Sequence, residues 1–176
     1  MEKIQKLLNF LSNRIIYDTL ISKGVQLVLF SSNNGVFNIF WEHKTQSKAL
    51  KACIQSFNQN VNNRMIVQLK NKFAKYFNGK RQVFDILLFL HCAFFDLNAW
   101  QVLRKILFLE TVSYGEKASL LDDKNKAYAI GLANALNTVS VIVPCQQVIS
   151  RNGGLTGFGG RLDKKAQLLE LECYKS

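Results

Sequence analysis

The sequence predicts an α+β protein. Two observations carry that expectation: a pair of β-forming runs flanks a tight turn in the first half, and stretches of helical period dominate the second. Its length of 176 residues suits one or two domains with a real core, and 48% hydrophobic residues exclude a disordered chain.

Taken in order, Ile4, Leu7, Leu8, Leu11, Ile15 and Ile16 have the spacing of an amphipathic helix over residues 1–22. Val25 to Phe30 and Val36 to Trp41 read as strands of a hairpin around Ser31-Ser32-Asn33-Asn34-Gly35. Thr45 to Asn60 reads as a helix with Leu50, Cys53, Ile54 and Phe57 on one face, and Asn58 to Arg64 as a polar loop. Leu69 to Phe77 is a helix stopped by Asn78-Gly79, and Val83 to Leu90 an apolar strand. From Phe95, the spacing of Trp100, Leu103 and Ile106 marks another helix. Gly115 to Leu121 and Lys126 to Leu136 form two helices around Asp122-Asp123-Lys124-Asn125, the layout a helix-turn-helix needs, although any helical hairpin looks the same. Ala127, Ala129, Gly131 and Ala133 permit close approach along the second helix, either to a partner surface or to another helix.

The net charge is +11. Residues 1–90 hold 13 Lys+Arg against 4 Asp+Glu, and residues 91–176 hold 10 against 8. A polyanionic partner explains such an excess, as does solubility alone. Cys53, Cys92, Cys145 and Cys173 lack CxxC spacing and have only His43 and His91 to help them, so no zinc motif is visible. Met1 to Ser22 carries charge throughout, so no secretory leader is expected, and no apolar run approaches a membrane span. A soluble intracellular protein with reduced thiols is the expectation.

The chemistry concentrates in Val141 to Ile149. A β-branched run enters the only proline of the chain, Pro144, which ends or kinks a strand and holds the thiol of Cys145 at a bend. Five of the 10 glycines follow within Gly153 to Gly160. On its own, Cys145 reads first as a small buried hydrophobe on a strand end.

Its surroundings resemble one family. Pro144-Cys145, Val148-Ile149, Gly153, Leu155-Thr156-Gly157-Phe158-Gly159-Gly160, Leu162, Lys165, Leu168-Leu169 and Glu172 are similar to the O6-alkylguanine-DNA alkyltransferases, the methylated-DNA–protein-cysteine methyltransferases. The resemblance covers roughly the last hundred residues. Phe73 to Arg81, Trp100 and Glu110-Thr111-Val112-Ser113-Tyr114 belong to it as well. It implies a supporting N-terminal domain over 1–90, with antiparallel sheet and helices. A mainly helical, winged-helix-like domain over 91–176 would then carry the DNA-binding and active-site residues.

The implied activity is single-turnover transfer of an alkyl group from O6-alkylguanine in double-stranded DNA to Cys145, by a monomer needing no cofactor. Glu172 and Gln146 would position a water, and Tyr114 would assist the leaving guanine. Tyr128 would fill the gap left by a flipped nucleotide in a minor-groove approach. Ala129, Gly131, Asn137, Arg151, Phe158 and Gly159 complete the expected DNA and base contacts. The implied location is the nucleus in a eukaryote and the cytoplasm in a bacterium. The hallmark is altered, however. Gln146 and Gln147 stand where the family has His and Arg, Phe158 and Gly159 replace Tyr and Ser, and Tyr128 replaces Arg. Leu107 and Leu109 stand at a Pro and a Gly, and Thr138 at a Pro. A neutral amide accepts no proton near pH 7. The losses keep a second reading open, a noncatalytic binder that flags alkylated DNA for other factors.

Overall fold

The computed structural model describes residues 15–45, 51, 54–55, 57–90, 94–119 and 127–173. The chain divides into two compact units, residues 1–78 with 85–90, and residues 79–84 with 91–176.

The first unit is built on a four-stranded sheet. β1 (Ile16–Ser22), β2 (Val25–Ser32) and β3 (Gly35–Trp41) run antiparallel, and the two-residue β4 (Asn58–Gln59) pairs parallel to β1, giving the order β3-β2-β1-β4. Lys23 and Gly24, with φ of 47° and 73°, form the β1–β2 turn. Two positive φ values in a two-residue loop match the right-handed twist of the flanking strands. The β2–β3 hairpin lies where the turn residues place it.

β1 corrects the helix expected over residues 1–22. Residues 1–14, which supplied most of the helical spacing, lie outside the described residues. From Ile16 the burial alternates, but one inward position is Asp18, which hides the two-residue period. That carboxylate is buried at 2.5 Å from Lys70 Nζ, and Gln59 Nε2 donates to it at 3.1 Å. Burial by itself would raise its pKa; the bonds from Lys70, Gln59 and the Thr19 backbone, with the Lys70 charge, outweigh this and hold it below the ordinary carboxylate range.

α1 (Glu42–Thr45) follows β3 directly. Half of the helix expected over Thr45 to Asn60 falls outside the described residues, Leu50 and Cys53 included; Lys51, Ile54 and Gln55 are helical, and Asn58–Gln59 form β4 instead. α2 (Arg64–Phe77) starts five residues earlier than the apolar spacing indicated. Asn63 Oδ1 accepts from Met65 N at 3.0 Å and Ile66 N at 3.3 Å, a capping signal that fixes the start. Ile66, Leu69, Phe73, Tyr76 and Phe77 are its buried face, packed on β1 and β2.

The strand expected over Val83 to Leu90 is reduced to a single bridge. Val36 N donates to Leu87 O at 2.9 Å and Phe89 N to Val36 O at 2.8 Å, while Val83, Leu87 and Phe89 stay exposed. Gly35 makes the approach possible: a Cβ there would lie 2.7 Å from Leu87 O.

The second unit comprises α3 (Phe94–Leu103), β5 (Val112–Ser113), α4 (Tyr114–Ser119), α5 (Ala127–Ala135), a 3₁₀ turn (Cys145–Gln147), β6 (Val148–Ile149) and α6 (Leu162–Cys173). β5 and β6 pair parallel, α5 packs on both α3 and α4, and α6 packs on the 3₁₀ turn. The buried Trp100 Nε1 donates to Ala133 O at 2.9 Å and ties α3 to α5. α4 and α5 are the two short helices expected; Asp122 to Asn125 between them lie outside the described residues. A capping box starts α4. Ser113 N donates to Glu116 Oε2 at 2.7 Å, and Glu116 N donates to Ser113 Oγ at 3.1 Å.

Candidate active site and nucleic-acid interface

Pro144 sets the geometry around the cysteine. With φ −80° and ψ 62°, it centres an inverse γ-turn in which Cys145 N donates to Val143 O at 2.8 Å. The chain then winds one 3₁₀ turn, and Cys145, Gln146 and Gln147 are all buried. Asn137 staples this bend. Its Nδ2 donates to Val143 O at 2.9 Å and to Cys145 Sγ at 3.1 Å, while its Oδ1 accepts from Val139 N at 3.0 Å. Val141, buried in the loop so formed, has φ of 76°, a conformation β-branched residues rarely take.

Burial pushes the Cys145 thiol up; hydrogen bonds from Asn137 and Ser140 and the charges of Lys165 and Lys117 oppose this without reversing it. Next to it, α6 delivers Glu172 into the core. Gln146 Nε2 reaches Glu172 Oε1 at 2.9 Å, and Gln147 Nε2 reaches Oε2 at 3.3 Å and Leu107 O at 3.0 Å. The Oε1 atoms of both glutamines are buried without a protein partner. An amide oxygen in that situation is an acceptor for a small polar molecule.

The glycine-rich loop is held from below by Lys165, whose Nζ donates to Val148 O at 2.5 Å and Thr156 O at 2.7 Å. Gly157 has φ of 39°, and a Cβ there would meet the Tyr114 hydroxyl at 3.3 Å. Across the ring, a Cβ on Gly131 would lie 3.8 Å from Tyr114 Cε1. Tyr114 thus lies between α5 and the loop. It also lines a cleft of about 550 Å³ with Ser113, Gly115, Glu116, Ser119 and Arg151.

A family model for the 6-O-methylguanine DNA methyltransferase DNA-binding domain matches residues 94–174. Methylated-DNA–protein-cysteine methyltransferases from Mycolicibacterium paratuberculosis and Methanosarcina mazei are 44% identical over 101 residues and 40% identical over 105. Those alignments cover 57% and 60% of this chain and 61% and 66% of the relatives, so the match spans about three fifths to two thirds of their length. The crystal structure of Mycobacterium tuberculosis O6-methylguanine methyltransferase superposes with TM-score 0.81 at 31% identity, covering 92% of this chain and 94% of that one. The chain belongs to the methylated-DNA–protein-cysteine methyltransferase family. Mycobacterium tuberculosis OGT in complex with DNA matches over the same extent with TM-score 0.78.

In this methyltransferase-family chain, the residues singled out in the sequence fall into three groups. Cys145, Gln146 and Glu172 are buried together around the 3₁₀ turn, with the half-buried Asn137 bonded to Cys145 and Gln146 to Glu172. Tyr114, Gly131 and Arg151 gather at the cleft and the glycine loop, in which Phe158 and Gly159 are half-buried. Tyr128 stands apart, 87% exposed on α5, with Ala129 half-buried beside it. Sequence reasoning assigned no role to Lys117, Asn134 or Ser140. Gln147 entered there only as a replacement for the family's Arg, whereas its amide holds Glu172 and Leu107. The Ser-x-x-Glu pattern of Ser113 and Glu116 was a readable signal for the α4 cap; the buried lysine had none.

Proposed function

We propose that the protein repairs DNA by moving an alkyl group from O6 of guanine in a duplex to Sγ of Cys145, once per molecule. The carrying observation is the Cys145 turn, stapled by Asn137 and backed by the Gln146–Glu172 pair. The Sγ–carbon bond forms as the carbon–O6 bond breaks, and the thiol proton ends on the guanine. Gln146 Oε1 is suited to hold a water beside the thiol, with Glu172 orienting the amide. Tyr114 donates to the leaving guanine in this reading, and Phe158 supplies an apolar wall. Tyr128 is the residue for the gap in the base stack, and the cleft with Arg151 borders the approach to DNA.

Support for a DNA substrate comes from the matched DNA-binding domain and from the relative solved with DNA. A free, reactive Cys145 suits a reducing intracellular compartment, and no helix among the described residues is long and apolar enough to cross a membrane. The test is intact mass after incubation with a duplex carrying O6-methylguanine. One added methyl group, mapped to Cys145, is the expected result. Unchanged mass with tight lesion binding would replace this reading with that of a noncatalytic binder, which the upward-shifted thiol and the missing imidazole would then explain.

A further inference from the structure

Three segments of the second unit meet at one carboxylate. Gln147, in the 3₁₀ turn, is 2% exposed, and its Nε2 donates to Leu107 O at 3.0 Å and to Glu172 Oε2 at 3.3 Å. We propose that Gln147 is a positioning residue, which locks the Glu172 carboxylate so that Gln146 keeps its amide oxygen turned out for the water beside Cys145. Its bearing on transfer rests on the alkyl-acceptor role given to Cys145 above.

Leu107 O is a fixed post. It lies between α3 and β5 in a turn closed by Glu110 N at 3.1 Å, and a carbonyl oxygen has lone pairs for two donors. An amide nitrogen carries two hydrogens. Gln147 spends one on this post and the other on Glu172, so the carboxylate on α6 is held from outside its own helix. The two amides of the turn divide that carboxylate between them. Gln146 takes Oε1 at 2.9 Å and Gln147 takes Oε2. Because an ionised carboxylate only accepts, each Nε2 must face it and each Oε1 must turn away. Both Oε1 atoms are buried without a protein partner. For Gln146 that oxygen is the acceptor the water needs. For Gln147 it is a burden: a buried amide oxygen left unbonded opposes folding, and an apolar side chain of similar length would fill the space without it. Packing alone therefore does not account for Gln147. Control of Glu172 does. The last torsion of a glutamate is broad and loosely held, so a carboxylate that loses its Oε2 donor can rotate, and the Gln146 amide bonded to it turns as well.

The experiment measures single-turnover transfer from a saturating O6-methylguanine duplex in the wild type, Gln147→Met, Gln146→Ala and the double variant Gln146→Ala/Gln147→Met. Methionine keeps the length of the side chain and removes its donors. Gln147→Met should transfer about ten- to hundredfold more slowly, with affinity for the lesion duplex within about twofold of the wild type. Once Gln146 is truncated, adding Gln147→Met should cost less than about twofold more, because the group it positions is gone. Equal costs in the two backgrounds would make Gln147 a structural residue and overturn the proposal, as would a Gln147→Met rate equal to that of the wild type. Should Gln147→Met not fold, the wild type decides through hydrogen exchange of its side-chain amides, followed by nitrogen-resolved NMR. The Gln146 and Gln147 amides hold one carboxylate, so they should be protected alike; a Gln147 amide exchanging about tenfold faster than that of Gln146 overturns the proposal equally. Exchange needs no DNA. Amides protected alike in a protein to which lesion DNA adds no methyl would therefore reject the transfer reading and leave the positioning of Glu172 and Gln146 by Gln147 standing.

Discussion

In the proposed transfer, Gln146 is the residue on which the chemistry turns. Its buried amide donates to Glu172 but cannot act as a base near neutral pH. Gln146→His should raise the alkyl-transfer rate at pH 7 by at least about tenfold, within the range expected of a positioned general base, while binding of the lesion duplex barely changes. Single-turnover kinetics measure the first and a binding titration the second; equal rates in both proteins would remove proton transfer as the limiting step. A second residue tells of strain. Leu109 has φ of 79° and is exposed, so it carries left-handed strain with little burial to offset it. Leu109→Gly should stabilise the protein by about 1 kcal/mol in thermal or denaturant unfolding. The sequence already marked this position, since the family resemblance set a glycine there. Cys145 was legible for a similar reason: a lone proline before a cysteine and a glycine-rich stretch after it are visible without coordinates. Lys117 was not. Lysines are almost never fully buried, so a lysine in a short helix reads as solvent-facing whatever it does.

Elements were legible where their local signals agreed. The β2–β3 hairpin follows from its turn residues, and α5 from its apolar period. β1 was hidden because Asp18 occupies an inward position and takes its partners from Gln59 and Lys70, 41 and 52 residues away. No window of local sequence contains that ion pair. Burial of Ile130 and Ala133 leaves Tyr128 and Leu132 on α5, and Leu136 just past its end, exposed at a spacing of four. The helix has no Lys or Arg between Ala127 and Ala135, so in the proposed reading the edge toward DNA is aromatic and aliphatic. Wedges of that kind unstack bases in minor-groove binders. Tyr128→Ala should weaken binding to a lesion duplex by about 1–3 kcal/mol and binding to an unmodified duplex much less. Equal losses in the two titrations would make Tyr128 a general contact.

At the scale of the whole molecule, charge and chemistry are carried by different parts of the chain. Most of the net charge of +11 lies in residues 1–90, whereas the cysteine network and the cleft lie within residues 107–172. Phosphate attraction is additive and insensitive to fine geometry, so it can be supplied by a part that reads no base. Duplex affinity should accordingly fall at least about tenfold between about 50 and about 200 mM salt, for lesion and plain DNA alike, with the ratio of the two nearly constant. A ratio that collapses with salt would mean that recognition of the lesion is itself ionic. Composition gives the net charge; it cannot say which residues would read a base, because most of the candidates are neutral.

The hydrogen bond from Trp100 to Ala133 makes the molecule its own optical probe. The chain has two tryptophans, Trp41 in the first unit and Trp100 in the second. Replacing Trp41 with phenylalanine leaves one indole, and its N–H is bound to the backbone of the helix that presents Tyr128. The emission colour of that single fluorophore then reports, without any label, whether α5 stays seated on α3 as DNA arrives.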